Sequence, residues 1–169
     1  MQFRVDEQVV HLNHGVGRIA GIVTNAFAKA EPQQYYEVVL DQSTVWVPVA
    51  GTGVPELRAL TPRRDLERYR AILRARPTDL VADHRQRRLD LLKQLKSGTF
   101  DSLCMVVRDL TARARVKPLN ELDSLTLRQA HANLSREWSA ADGLTLAEAA
   151  RHIEALLLEG QTAAPSSPA

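Results

Sequence analysis

The residues best equipped to do chemistry in this chain are few and scattered. His11-x-x-His14 has the spacing of a metal-binding pair, but no cysteine or acidic partner follows nearby at a regular interval to complete a tetrahedral set. The two read as ordinary strand-end histidines. His84, His131 and His152 fall on separate predicted helices. Cys104 is the single cysteine and lies in the apolar run Leu103-Cys104-Met105-Val106-Val107, as a small buried side chain in a reducing compartment would. No glycine-rich phosphate loop, nucleophile elbow or paired-cysteine zinc signature is present. These absences lead us to expect neither catalysis nor a cofactor nor a metal.

What the chain does offer is charge, unevenly placed. The net charge of +2 divides into −2 over residues 1–59, +8 over residues 60–118 and −4 over residues 119–169. The middle segment holds 15 Lys/Arg against 7 Asp/Glu. Such a concentration suits a polyanion, because neutralised phosphates release counterions, and it equally suits a solvated arginine-rich helical surface. With 44% hydrophobic and 25% charged residues the composition is globular. No apolar run approaches the roughly 20 residues of a membrane span, and Met1-Gln2-Phe3-Arg4 does not begin a signal peptide. A cytoplasmic location is expected.

Two kinds of element must carry these groups. The first 60 residues alternate with period two. Strands are predicted over Glu7–His11, Val16–Val23, Tyr35–Leu40, Thr44–Val49 and Leu57–Leu60, with Asn13-His14-Gly15 and Asp41-Gln42-Ser43 as turns. Five short strands favour a small SH3- or Tudor-like β-barrel. After Leu60 the period becomes helical. A first helix is expected from Thr61-Pro62, with the hydroxyl as cap, to about Ala75. A second runs from Thr78 or Asp79 to Ser97-Gly98, a third from Asp101 to Val116 and a fourth from Asn120 to about Ala141. Asp142-Gly143 stops the fourth, and Thr145-x-x-Glu148 is a capping box that starts a fifth. The expected architecture is α+β: a β-barrel over 1–60, an all-α bundle over 61–160 and a disordered Ala/Pro/Ser-rich tail over 161–169.

Particular residues then fit a particular pattern. Phe3-x-Val5, Val9-Val10, His14-Gly15-Val16-Gly17, Gly21-Ile22, Tyr35-Tyr36, Val45-Trp46-Val47-Pro48-Val49 and Leu57-Arg58-x-Leu60 resemble the polymerase-interacting domain shared by CarD/CdnL regulators and the transcription-repair coupling factor. Asp6-Glu7 and His11-Leu12 depart from the family's Gly-Asp and Tyr-Pro. Arg76-Pro77-Thr78, Lys96-Ser97-Gly98 and Val106-Val107-Arg108-Asp109-Leu110 extend the resemblance to about residue 140, in the manner of stand-alone CarD/CdnL proteins. The resemblance implies a monomeric regulator of transcription initiation. Its barrel would add an edge strand to the β subunit of bacterial RNA polymerase, and its helical domain would hold upstream promoter DNA without reading sequence. The alternative is a divergent paralogue or adaptor that binds polymerase without wedging DNA.

On this resemblance the polymerase-binding residues are Asn25, Trp46 and Pro48. Trp46 alternates with Val45, Val47 and Val49 and should point away from the barrel core, unless it packs beneath a loop or the helical domain. Asn25 stands where some relatives are basic. The family's DNA-wedging Trp is missing here. Aligning from Arg76-Pro77-Thr78 puts Leu80 at that site, and aligning from Lys96-Ser97-Gly98 puts His84 there, one turn apart on the same predicted helix face. Leu80 could equally be core. Arg85, Arg87, Arg88 and Lys93 follow as phosphate contacts. Trp138, in step with Leu127, His131 and Leu134, and the run Leu103, Val106, Val107 and Leu110 are expected to be core. Ile153, Leu156, Leu157 and Leu158 should dock the last helix.

Overall fold

The computed structural model describes residues 2–25, 31–51 and 55–162. The chain divides between Leu60 and Thr61 into two compact units. The first holds strands β1 (Gln8–His11), β2 (Gly15–Asn25), β3 (Gln33–Val39), β4 (Thr44–Pro48) and β5 (Leu57–Ala59). They form one antiparallel sheet in the order β4-β3-β2-β1-β5, so β4 and β5 are its two edges. A bulge between Ile19 and Gly21 bends the long second strand. Phe3, Val9, Ile19, Tyr36, Val38, Val47 and Leu57 make the core on one face of this Tudor-like sheet. The Tyr36 hydroxyl accepts the Phe3 N–H at 3.0 Å and so ties the N-terminal segment over that core.

The second unit is all helical. A 3-10 turn at Arg63–Asp65 leads into α1 (Leu66–Arg74), followed by α2 (His84–Lys96), α3 (Phe100–Val116), α4 (Glu121–Asp142) and α5 (Leu146–Thr162). Side-chain caps fix the starts: Asp83 accepts from the Arg85 N–H, Thr99 from Ser102 and Asn120 from Asp123. Thr145 and Glu148 form the reciprocal capping box expected for α5, at 2.8 and 3.2 Å. Gly143 ends α4 with a left-handed φ of 69°. Trp138 is fully buried between Phe100 and His152, within a core of Leu66, Leu73, Leu110, Leu134, Ile153 and Leu157. Leu158 turns outward.

Three expectations change. Thr61 does not cap α1; its hydroxyl and amide both donate to the buried Glu137 carboxylate, at 2.7 and 3.3 Å. The charge-assisted bond to this carboxylate turns the hydroxyl toward Glu137 and away from the first N–H groups of the helix, which it would have to accept as a cap. The second helix begins at His84, not Thr78, and residues 77–83 form an irregular strap. The last helix continues through Gln161 and Thr162, while residues 163–169 of the expected tail lie outside the described residues.

The α5 end sits close on the α1 end because Gly160 has no side chain. A Cβ there would stand 2.9 Å from the Arg74 carbonyl oxygen and 3.0 Å from that of Leu73. These are backbone atoms that cannot swing aside. Gly160→Ala should therefore lower the stability of the helical unit by about 1–3 kcal/mol, seen as a shifted urea midpoint in circular dichroism.

Candidate functional site

Two surfaces stand out among the described residues. The first is the β4 edge. In an antiparallel ladder, hydrogen-bonded and non-hydrogen-bonded pairs alternate. The Leu40 N–H donates to the Ser43 carbonyl and the Val49 N–H to the Gln34 carbonyl, which sets the phase of the β3–β4 ladder. Val45 and Val47 thus bond inward to β3, leaving the backbone groups of Thr44, Trp46 and Pro48 on the open side. Pro48 has no N–H to lose there, so an edge strand tolerates it.

Trp46 is 55% exposed, an indole turned away from the core on an edge strand. Pro48 pairs with Tyr35 and Tyr35 with Val23, while Asn25 pairs with Gln33 two residues further along the same face. Asn25, Trp46 and Pro48 therefore share one face of the sheet, with Asn25 at the far end of β2. Tyr35 and Val23 lie between them, which alternation within single strands could not reveal because it does not set the register between strands.

The second surface is α2. At 100° per residue, Arg85, Leu89, Leu92, Lys93 and Lys96 fall within an arc of roughly 100°, with half-buried Arg88 on its flank. Leu91 and Arg87 face the opposite way, into the domain. Leu89 and Leu92 are 62% and 45% exposed in the middle of the cationic arc. Neither was among the residues expected from sequence to meet DNA; their i, i+3 spacing among basic residues was the available signal. Among the described residues Arg85, Arg88, Lys93 and Lys96 make no ion pair.

Most other arginines of the basic segment are paired. Arg63 and Arg70 meet Asp142 at 3.1 and 3.4 Å, Arg74 reaches Glu67 and Glu159, and Arg68 meets Asp101. Acids from several elements thus pair the arginines of α1, whereas among the described residues Arg85, Arg88, Lys93 and Lys96 of α2 have none.

Arg87 corrects the expectation of a phosphate contact. It is 4% exposed, with Nε donating to Asp123 at 2.7 Å and Nη1 to the Val81 and Ala82 carbonyls, both at 3.0 Å. Its guanidinium holds the strap and α2 against the start of α4. Arg108 and Asp109 hold the other end of the strap: Asp109 accepts the Thr78 N–H at 3.0 Å, and Arg108 donates to the Ile72 carbonyl and the Thr78 hydroxyl. The strap positions Leu80 half-buried against the helical core, whereas His84 is the exposed first residue of α2. The two do not share a helix face, because no helix joins them.

The histidine pair of the sheet is occupied otherwise. His11 ends β1 and is buried, its Nδ1 accepting the Asn13 N–H at 3.1 Å and its ring 4.7 Å from that of His14. Burial pushes its imidazole below the ordinary value; the neighbouring His14 adds to this and Glu56 opposes it. Among the described residues no group of three or more His, Cys, Asp or Glu is arranged to hold a metal ion.

Residues 3–60 match the family model of the CarD-like/TRCF RID domain, and residues 69–154 match that of the CarD C-terminal domain. The first match contains the whole described sheet and the second contains α2 with its Asp123 anchor. A protein of Bacillus subtilis (strain 168) named "Putative transcription factor YdeB" is 28% identical over 145 residues, covering 85% of this chain and 94% of that protein.

Asp123→Ala would leave the buried Arg87 uncompensated and release the strap. The expected loss is about 3–5 kcal/mol. It can be followed by the fluorescence of the buried Trp138 during urea unfolding in a Trp46→Phe background. A change below 1 kcal/mol would show that α2 is held by other means.

Proposed function

The chain belongs to the CarD-like family, and from that premise we propose that it regulates transcription initiation by binding RNA polymerase and promoter DNA at once, without catalysing a reaction. The sheet supplies the polymerase contact. A strand of the polymerase β subunit adds to the open side of β4, bonding to the free backbone groups of Thr44 and Trp46, while the Trp46 indole anchors the interface beside Pro48. Asn25, at the far end of the same face, contributes polar contact only. The single observation that carries this reading is the outward Trp46 on an edge strand.

The helical unit supplies the DNA contact through α2. Arg85, Arg88, Lys93 and Lys96 suit phosphates, and Leu89 and Leu92 between them suit the apolar sugar edges of a minor groove. His84, exposed at the helix start, can stack or hydrogen-bond at the same groove; Leu80, held against the core, supports the strap and leaves the wedge to others. No set of polar side chains on this arc is arranged to read base edges, so binding is sequence-independent and salt-sensitive, with placement supplied by polymerase. Contacts made only in the open complex would favour it by their differential binding energy. One observation favours a second reading, an adaptor on polymerase that leaves DNA alone: neither Leu80 nor His84 offers the ring of a tryptophan at the expected wedge.

One experiment with two arms separates these. Wild-type protein should bind immobilised core polymerase, and Trp46→Glu should weaken it about 30-fold or more, as loss of an interface anchor does. The triple variant Arg85→Glu, Arg88→Glu, Lys93→Glu should bind core polymerase normally yet lose all effect on open-complex lifetime. Unchanged binding by Trp46→Glu would refute the edge assignment. A wild-type lifetime effect in the triple variant would refute α2 as the DNA surface.

A further inference from the structure

The outer face of the sheet holds a charge that the domain itself does not use. Glu37 lies mid-strand in β3, half-buried, paired across the ladder with Trp46 on one side and Gly21 on the other. Its carboxylate leans over Gly21, where a Cβ would stand 3.6 Å from Oε2. Among the described residues Glu37 has neither an ion pair nor a side-chain hydrogen bond. The cation on the same face of β2, Arg18, is engaged with Asp6. A carboxylate on this face without an internal partner is open to a cation brought by another molecule.

The geometry says where that cation must come from. Glu37 and Trp46 are a non-hydrogen-bonded pair, the closer of the two kinds, with Cα atoms about 4.5 Å apart. A strand added to β4 would place the side chain opposite Trp46 on the same face as Trp46 and Glu37, because side chains alternate with period two. That strand would lie about 10 Å from β3, two strand spacings away. The extended side chain of an arginine or lysine, met by a glutamate, spans this distance while passing over the indole. An acidic residue at that position would instead meet a carboxylate across an aromatic face.

We propose that the segment received by β4 is a strand carrying an arginine or lysine opposite Trp46, its cation held between the indole face and the Glu37 carboxylate. This rests on the reading that β4 receives a polymerase strand, and it adds the chemistry that selects the strand. The indole supplies cation–π attraction and Glu37 supplies the charge. Glu37 is thus a specificity-determining residue of the interface.

The test measures affinity for core RNA polymerase over a range of salt concentrations, for the full-length chain and its variants. Glu37→Gln, which keeps shape and removes charge, should weaken binding about tenfold and flatten its salt dependence. Glu37→Lys should weaken it further, about 100-fold, and Glu37→Asp should retain more affinity than Glu37→Gln. Thermal unfolding of Glu37→Gln should match the wild type, since no internal partner is lost. If Glu37→Gln binds with wild-type affinity and salt dependence while Trp46→Glu fails to bind, the cation is refuted and strand addition survives. If the wild-type chain does not bind core polymerase, both are refuted together.

Discussion

Guanidinium–carboxylate pairing decides which part of the helical unit can meet an anion. The basic segment contributes 15 cations, but the fold neutralises many of them from within. Asp142 alone serves Arg63 and Arg70, and Asp101 serves Arg68. Arg87 is drawn inside by Asp123, and Arg108 by Asp109. The exposed pairs add little stability, since water and salt screen them. Their consequence is spatial: they leave an unpaired cationic surface along α2. The buried pairs act differently, by fixing the strap at both ends and so aiming the helix that carries that surface.

The sheet solves a different problem. An edge strand with free backbone groups invites any other strand, and aggregation follows unless the edge is blunted. Here β4 is only five residues long and ends in Pro48, which removes one donor from the open side. What remains is a short template around Trp46, wide enough for one incoming strand. One family model covers the sheet and another covers most of the helical unit.

Much of this was legible in the sequence, for physical reasons. Period-two alternation placed all five strands to within a few residues, because half-buried strands must alternate. It also turned Trp46 outward, because Val45 and Val47 claim the inner face. The caps at Asn120 and Thr145 are local hydrogen bonds and could be read directly. The misses are all tertiary. Thr61 looks like a cap until Glu137, 76 residues away, takes its hydroxyl. Residues 78–83 look helical until Arg87 and Arg108 bind their backbone and Thr78. Arg87 resembles its neighbours in α2 by type, and its place one turn before Leu91 on the inner face becomes tenable only through Asp123 on another helix. Leu89 and Leu92 were passed over for a related reason, since a leucine in an amphipathic helix is assigned to the core unless its neighbours show otherwise.

On the proposed function, one chain would hold polymerase through β4 and DNA through α2 in the same complex. A photoreactive amino acid at Thr44 and, separately, at Leu92 of the full-length chain tests this in a reconstituted initiation complex on a labelled promoter. Crosslinks are expected from position 44 to the polymerase β subunit and from position 92 to DNA upstream of the melted region. Crosslinks from position 92 to protein alone, with position 44 still reaching β, would contradict this reading and leave a polymerase adaptor in its place.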